Sequence, residues 1–504
     1  MKEITVALSL WYIVTVAIIY LSTVAIYRLL FHPLARFPGP KLAAITQYYE
    51  AYYDIILNGQ YTFKIAELHK KYGPIIRISP YELHIIDPAF FEKLYRQDGR
   101  WDKYAWAYDA HSAKHSTIFT TEHHLHRARR APLNPFFSKA KVASRQALIS
   151  RNVDKFCERI SEFSQSAKLM DIRAAISEFT RCTAAEFIIG KTYDSLEKQD
   201  FSATTNKEPP ASLSIWHVTK HFPLYGPSLM KMPTYWIKKS QGGGVKSFLL
   251  YLKRSTEHTK ELFADIASSK SGDKGPRTIV HQILESNLPA EEKTFDRVFL
   301  DVATVTGARI ETTASVLRLI IFHVFNDKQI LERLRAELAS ATADSPNLDL
   351  KALEQLPYLT SVLMEGLRLS PGLATRMARM APDRDLIYDK WLIPAATPVG
   401  MTVLLMHLNE TLYANPKRFN PDRWTDPDAR RKADKTYAPF SRGTRICLGM
   451  YLAWAEMYLV LAALVKNFDF QFEGTSAEDF ECDGDQFTIR TKGGRFLNAL
   501  VTNC

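Results

Sequence analysis

The stretch Pro439 to Gly449, PFSRGTRICLG, decides how this chain is read. It sets five residues in a fixed frame: Phe440-x-x-Gly443-x-Arg445-x-Cys447-x-Gly449. Gly443 permits a tight backbone turn, and Gly449 permits close approach of a helix to a bulky group. The apolar run MYLAWAEMYLVLAALV follows at once and predicts a helix. A helix that begins beside a cysteine turns its positive end toward the sulfur and favours the thiolate. The frame admits two readings, a metal-bound thiolate and a structural cysteine in a surface loop.

Upstream segments extend the pattern in a definite order. TGARIETTA (306–314) sits inside a long, mostly apolar helical stretch, 292–326. SVLMEGLRLSP (361–371) carries Glu365 and Arg368 at an i,i+3 spacing, on one helical face. NPKRFNPDRW (415–424) supplies Arg423, and HRARRAPLNPFFSK begins with His126 and contains Arg130 four residues later.

This series resembles the cytochrome P-450 superfamily over essentially the whole chain. Its hinge and its HRARRAPLNPFFSK segment are similar to filamentous-fungal members of secondary metabolism. The resemblance implies a fold that is mainly α with small β-sheets (α+β), behind a single N-terminal transmembrane helix. It implies haem b (iron protoporphyrin IX) with Cys447 as axial ligand, shielded by Phe440 and framed by Gly443 and Gly449. Arg445, His126, Arg130 and Arg379 would meet the propionates. His126 stands where the family usually has Trp, and Arg376 is the second choice for the place given to Arg379. Thr312 and Glu311 would handle protons during dioxygen cleavage, which needs protons delivered to the distal oxygen. Glu365, Arg368 and Arg423 would form a buried network that holds the cysteine loop and takes no part in catalysis. One position departs from the family: Arg309 replaces a glycine in the oxygen helix. It is expected to point away from haem, toward Glu311 or solvent.

The implied reaction is monooxygenation of an apolar small molecule, of terpenoid or polyketide type, with dioxygen. No flavin or nicotinamide segment is recognisable, so electrons are expected from an NADPH-dependent flavoprotein reductase or a cytochrome b-type donor. Arg127, Arg129, Lys139 and Arg442 would steer that acidic partner. The alternatives are a reductase-independent isomerase or dehydratase, and a non-catalytic haem-binding sensor.

Composition sets the frame. The net charge of +11 admits nucleic acid, a membrane surface or an acidic partner. No nucleic-acid-binding motif accompanies it, so no nucleic acid is expected. Five cysteines without CxxC spacing argue for a reducing compartment. Residues Ile4 to Tyr27 carry no formal charge. A helix of about 24 residues rises about 36 Å, enough to cross a bilayer core of about 30 Å. Arg28, His32, Arg36 and Lys41 follow it, where a cleaved signal would show small residues. Positive charge on that side is expected to keep the body in the cytosol, and the resemblance implies a single-pass endoplasmic reticulum anchor. The expected divisions are an anchor at 1–30, a proline-rich hinge at 31–44 and a haem-binding catalytic domain at 45–504.

Within the body, IIRISPYELHIID (75–87) predicts a β-hairpin. His123, His124 and His126 do not share one helical face, so they predict no metal site. The aromatic-rich segment from Ser212 to Lys239 reads equally as core or as a lid over a pocket. The 201–212 run and the glycine-rich 242–244 and 271–276 segments are expected as loops or turns. Phe487 and Thr488 are expected to reach the pocket from a terminal hairpin around Gly493 and Gly494.

Overall fold

The computed structural model describes residues 2–166, 168–192, 194–198, 200–201, 212–233, 235–236, 243–268, 277–344, 349–493 and 497–504. The chain begins with helix α1 (Lys2–Ile26), which continues as a wider turn over Tyr27–Phe31. Its apolar side chains from Leu10 to Leu21 stand exposed, as a lipid-facing helix requires. The proline-rich segment then docks on the body. Leu34 and Phe37 are buried, and Phe37 stacks on Trp391 at 4.9 Å.

The hairpin forms as its pattern predicts. Strands β1 (Ile75–Arg77) and β2 (Leu83–Ile85) pair antiparallel, with Ile75 opposite Ile85. The sheet grows by β3 (Asp102–Lys103), β4 (Arg379–Met380) and β5 (Val399–Gly400), in the order β1-β2-β5-β4-β3. This topology brings Lys103 opposite Arg379, although they are far apart in sequence.

Helices make up the rest of the core. The ones that matter for the site are α2 (His123–Arg130), α3 (Ile172–Ile189), α4 (Ser212–His221), α5 (Phe295–Asn326), α6 (Pro357–Leu369) and α7 (Met450–Asn467). Helix α5 has 32 residues, so it runs about 48 Å through the body. It buries Val298, Val302, Leu317 and Ile320 in the main hydrophobic cluster, together with Phe179 of α3 and Leu461 of α7.

The aromatic-rich segment divides between the two readings of its sequence. Ile215, Trp216 and His217 of α4 are buried, while Phe222, Leu224, Tyr235 and Trp236 are exposed. Buried charges fasten α4 to the body. Lys220 Nζ lies 2.7 Å from Glu50 Oε1 and 2.5 Å from Asp54 Oδ2. Arg376 completes the group through Glu50 at 2.7 Å and Glu82 at 2.8 Å. Gly243 and Gly244 open the helix Gly243–Ser268, where a turn was expected. Residues 202–211, Gly242, 271–276 and Gly494 lie outside the described residues.

Helix α6 carries the buried network that the motifs predict. Glu365 and Arg368 are both fully buried, joined at 2.9 and 2.8 Å. Arg423 Nε reaches Glu365 Oε1 at 3.2 Å, and Trp424 Nε1 donates to Oε2 at 2.9 Å. A Glu365→Ala substitution strands the Arg368 cation in the core. It is expected to cost about 3–5 kcal/mol in urea unfolding of the full-length protein. A loss below about 1 kcal/mol would contradict this role.

Candidate active site

The cysteine loop is built on backbone constraints. Gly443 has φ +73°, and a Cβ there would sit 2.4 Å from the Arg96 carbonyl oxygen. Only glycine fits that turn. The Cys447 N–H donates to Phe440 O at 2.9 Å and closes the loop. Phe440 packs near Trp454, with ring centroids 6.2 Å apart. The loop is also hung from α6. His407 Nδ1 meets Arg368 O at 3.0 Å, and its Nε2 accepts the Ala438 N–H at 3.1 Å. The only tautomer that satisfies both is neutral, with the proton on Nδ1. His407 thus joins the buried network to the start of the cysteine loop, a role that no local motif announces.

Cys447 opens onto an internal chamber of about 1650 Å³. Cys447 is exposed and lines that chamber. Burial pushes the thiol above its ordinary range. A Gly449 N–H and the charges of Arg130 and Arg309 oppose that shift without overcoming it. The Gly449 N–H, at the start of α7, acts in the direction expected of a helix N-terminus. A bound metal ion deprotonates such a thiol outright.

Thr312 and Glu311 of α5 line the same chamber. The Thr312 hydroxyl donates to Ala308 O at 3.1 Å, and Glu311 pairs with Arg318. Arg309 does not follow its expectation. It turns to Glu456 of α7, with Nη2 2.7 Å from Oε1, and meets neither Glu311 nor solvent. Thr117 and Asp301 tie the segment before α2 to α5: Asp301 accepts from the Thr117 N–H at 2.6 Å and its hydroxyl at 2.8 Å. Phe487 is held at φ +70° and lies edge-on to His111 at 4.6 Å and to Trp216 at 5.3 Å. Phe487 and Thr488 both line the chamber.

A cluster of cations borders the chamber: Lys103, Arg130, Arg379 and Arg445, with His126 among them. Lys103, Arg379 and Arg445 are buried, and no carboxylate forms an ion pair with any of the four among the described residues. Burial pulls the His126, Lys103 and Arg445 pKa values down, and their mutual repulsion adds to this. Arg445 gives its Nη atoms to the carbonyls of Thr120 and Thr121, at 2.6 and 2.8 Å, and leaves a buried Nε without a partner. Uncompensated buried cations are costly, so this corner fits a ligand that carries negative charge. A thiol-bearing floor, a large apolar chamber and a cationic corner together fit a haem with its two propionates. Arg376 is excluded from this corner by its pairing with Glu50 and Glu82. Lys103 belongs to it, although nothing in its local sequence marks it.

The partner-facing residues divide. Arg127 and Lys139 are exposed. Arg129 is buried and binds Glu292 through two bonds of 2.6 and 2.8 Å, which corrects its expected place on a docking surface. Arg442 pairs with Glu92 at 3.2 Å.

Full burial pulls the His407 imidazole from an ordinary 6.5 down to about 3. Its neutral form therefore belongs to the folded state. The stability it contributes is full above about pH 6.5 and is lost as pH falls toward 3. His407→Gln is expected to cost about 1–3 kcal/mol at pH 7.5, through unsatisfied partners. The gap to the parent protein should narrow as pH falls from 6.5 to 4. A gap that stays constant in urea unfolding across that range would contradict the assignment.

Comparison with known proteins agrees with this geometry. The family model for cytochrome P-450 matches residues 45–498. A cytochrome P-450 monooxygenase of Ascocoryne sarcoides is 37% identical over 474 residues, covering 92% of each chain. A tryptophan 6-hydroxylase of Fusarium equiseti is 36% identical, over 94% of this chain and 93% of its own. A conidiogenone synthase of Penicillium rubens is 35% identical, over 91% and 92%. The motifs, the fold and these relatives lead to one conclusion: the chain belongs to the cytochrome P-450 family of haem-thiolate proteins and is one of its fungal-type monooxygenases.

Proposed function

We propose that this monooxygenase hydroxylates or otherwise oxidises an apolar intermediate of secondary metabolism, using haem b and electrons from NADPH through a separate flavoprotein reductase. The observation that carries the reading is that Cys447 and the Thr312–Glu311 pair open onto one apolar chamber. Its volume of about 1650 Å³ exceeds the usual range for a single ligand, so a cofactor and a substrate fit together. Bound there, haem supplies dioxygen activation and oxygen transfer.

The chain's own residues supply the rest. Cys447 holds the iron, and Lys103, Arg130, Arg379, Arg445 and His126 hold the propionates. The Thr312 hydroxyl positions a proton at the oxygen site, and Glu311, held by its ion pair with Arg318, passes protons inward from solvent. Ile118, Phe119, Phe299, Ala303 and Phe487 offer the substrate an apolar surface. Relatives named as a tryptophan 6-hydroxylase and a conidiogenone synthase support a small organic molecule as the substrate.

Residues 1–30 anchor the protein in the endoplasmic reticulum membrane, 31–44 form the hinge, and 45–504 form the cytosolic catalytic domain. The exposed Phe222, Leu224, Tyr235 and Trp236 suit a surface that rests on lipid. Arg127, Lys139 and Arg442 are offered to an acidic reductase, which would compete with Glu354 for Lys139 and with Glu92 for Arg442.

Incubation with NADPH, a fungal reductase and ¹⁸O-labelled dioxygen, across indole and terpenoid candidates, tests the reaction. One labelled oxygen per product is expected, with no product when the reductase is omitted; product formed without reductase would refute the proposal. Thr312→Ala should keep NADPH consumption while product per NADPH falls at least about tenfold. Coupling that stays intact would remove Thr312 from proton handling. Arg127→Glu combined with Lys139→Glu should slow reduction by the reductase and weaken its salt dependence. An unchanged rate would place the partner elsewhere.

A further inference from the structure

Arg309 occupies a position where the family pattern has glycine, one helical turn before Thr312. Its side chain crosses from α5 to α7 and meets Glu456, nine residues after Cys447. The pair is 6% and 0% exposed. Among the described residues neither member makes a second ion pair. The two charges are close but poorly aligned. Arg309 Nε and Nη2 and both Glu456 oxygens lack a well-directed hydrogen bond. A buried pair of this kind recovers its desolvation cost poorly, so it is weak evidence for a purely stabilising role.

The placement of the charges is more informative. Arg309 lines the chamber, and its Nη1 lies 3.6 Å from where a Cβ on Gly449 would sit. Gly449 is two residues from Cys447, whereas Glu456 lies seven residues further along α7, about 10 Å of helix rise away. The pair is therefore a dipole with its positive end toward the cysteine.

We propose that the Arg309–Glu456 pair is a positioning and electrostatic device, which holds α5 to α7 and sets the electron-donating strength of the Cys447 thiolate. The proposal rests on the haem-thiolate reading of Cys447. A cation beside the sulfur draws electron density from it and favours the reduced, more negative iron. The anion behind it offsets part of that effect. Arg309 thus acts through Cys447 and touches none of the reacting atoms.

The test is the ferric/ferrous reduction potential of the haem-loaded full-length protein, measured by spectroelectrochemistry. Arg309→Gln should lower the potential, and Glu456→Gln should raise it. Arg309→Lys keeps the charge and should stay near the parent value. Where a single substitution prevents haem loading, the double variant Arg309→Gln with Glu456→Gln removes both charges at similar volume. Its potential should fall below that of the parent, because the cation is the nearer charge. Potentials that are unchanged in the single or double variants, or that move in the same direction in both single variants, would overturn the proposal. Absence of a thiolate-type carbon monoxide band in the parent protein would instead overturn the haem-thiolate reading beneath it.

Discussion

A fully buried carboxylate has to find its partners inside the protein, and Glu365 finds them on its own helix and on the 420–424 segment. It accepts two bonds from Arg368, and one each from the Asn420 N–H, Arg423 and Trp424. The Arg368 guanidinium also donates to the His407 carbonyl at 2.8 Å, and His407 in turn holds Ala438. The order of causes runs from one charge in α6, through His407, to the backbone that presents Cys447. Removing a partner leaves an unpaired buried charge, so the network is held as a unit.

The chamber has the opposite electrostatic problem. Lys103, Arg130, Arg379 and Arg445 gather at one corner without carboxylates to balance them. Folding alone gives no reason to assemble such a cluster, because each buried cation costs free energy. An anionic cofactor supplies the reason. Binding that is exclusive to the native state then adds to stability by mass action. On the proposed reading, structure and cofactor would be coupled at that corner, and the apolar walls would be left for substrate.

Sequence reading succeeded where the chemistry is local. The Phe440–Gly449 frame, the Glu365–Arg368 spacing and the apolar α1 each lie within one element, and their physical logic is visible in a short window. It failed where partners come from far away. Lys103 joins the cationic corner only because the β3–β4 pairing sets it opposite Arg379. His407 and Glu456 carry no motif of their own, and their partners lie in other segments. Arg309 was expected near Glu311 because sequence proximity was the only guide, yet α7 offered a buried carboxylate instead. The burial of Arg129 had a readable signal. His126, Arg129 and Arg130 fall at i, i+3 and i+4, so an inward His126 brings Arg129 with it.

The carbon monoxide difference spectrum of the reduced, full-length protein, beside a Cys447→Ser variant, tests the central claim most directly. A strongly red-shifted Soret band in the parent, lost in a variant that still binds haem, is the predicted result. It would establish that the loop hung from Glu365 and His407 delivers a thiolate to iron. A folded, haem-loaded parent that lacks the band, or a variant that keeps it, would contradict the account.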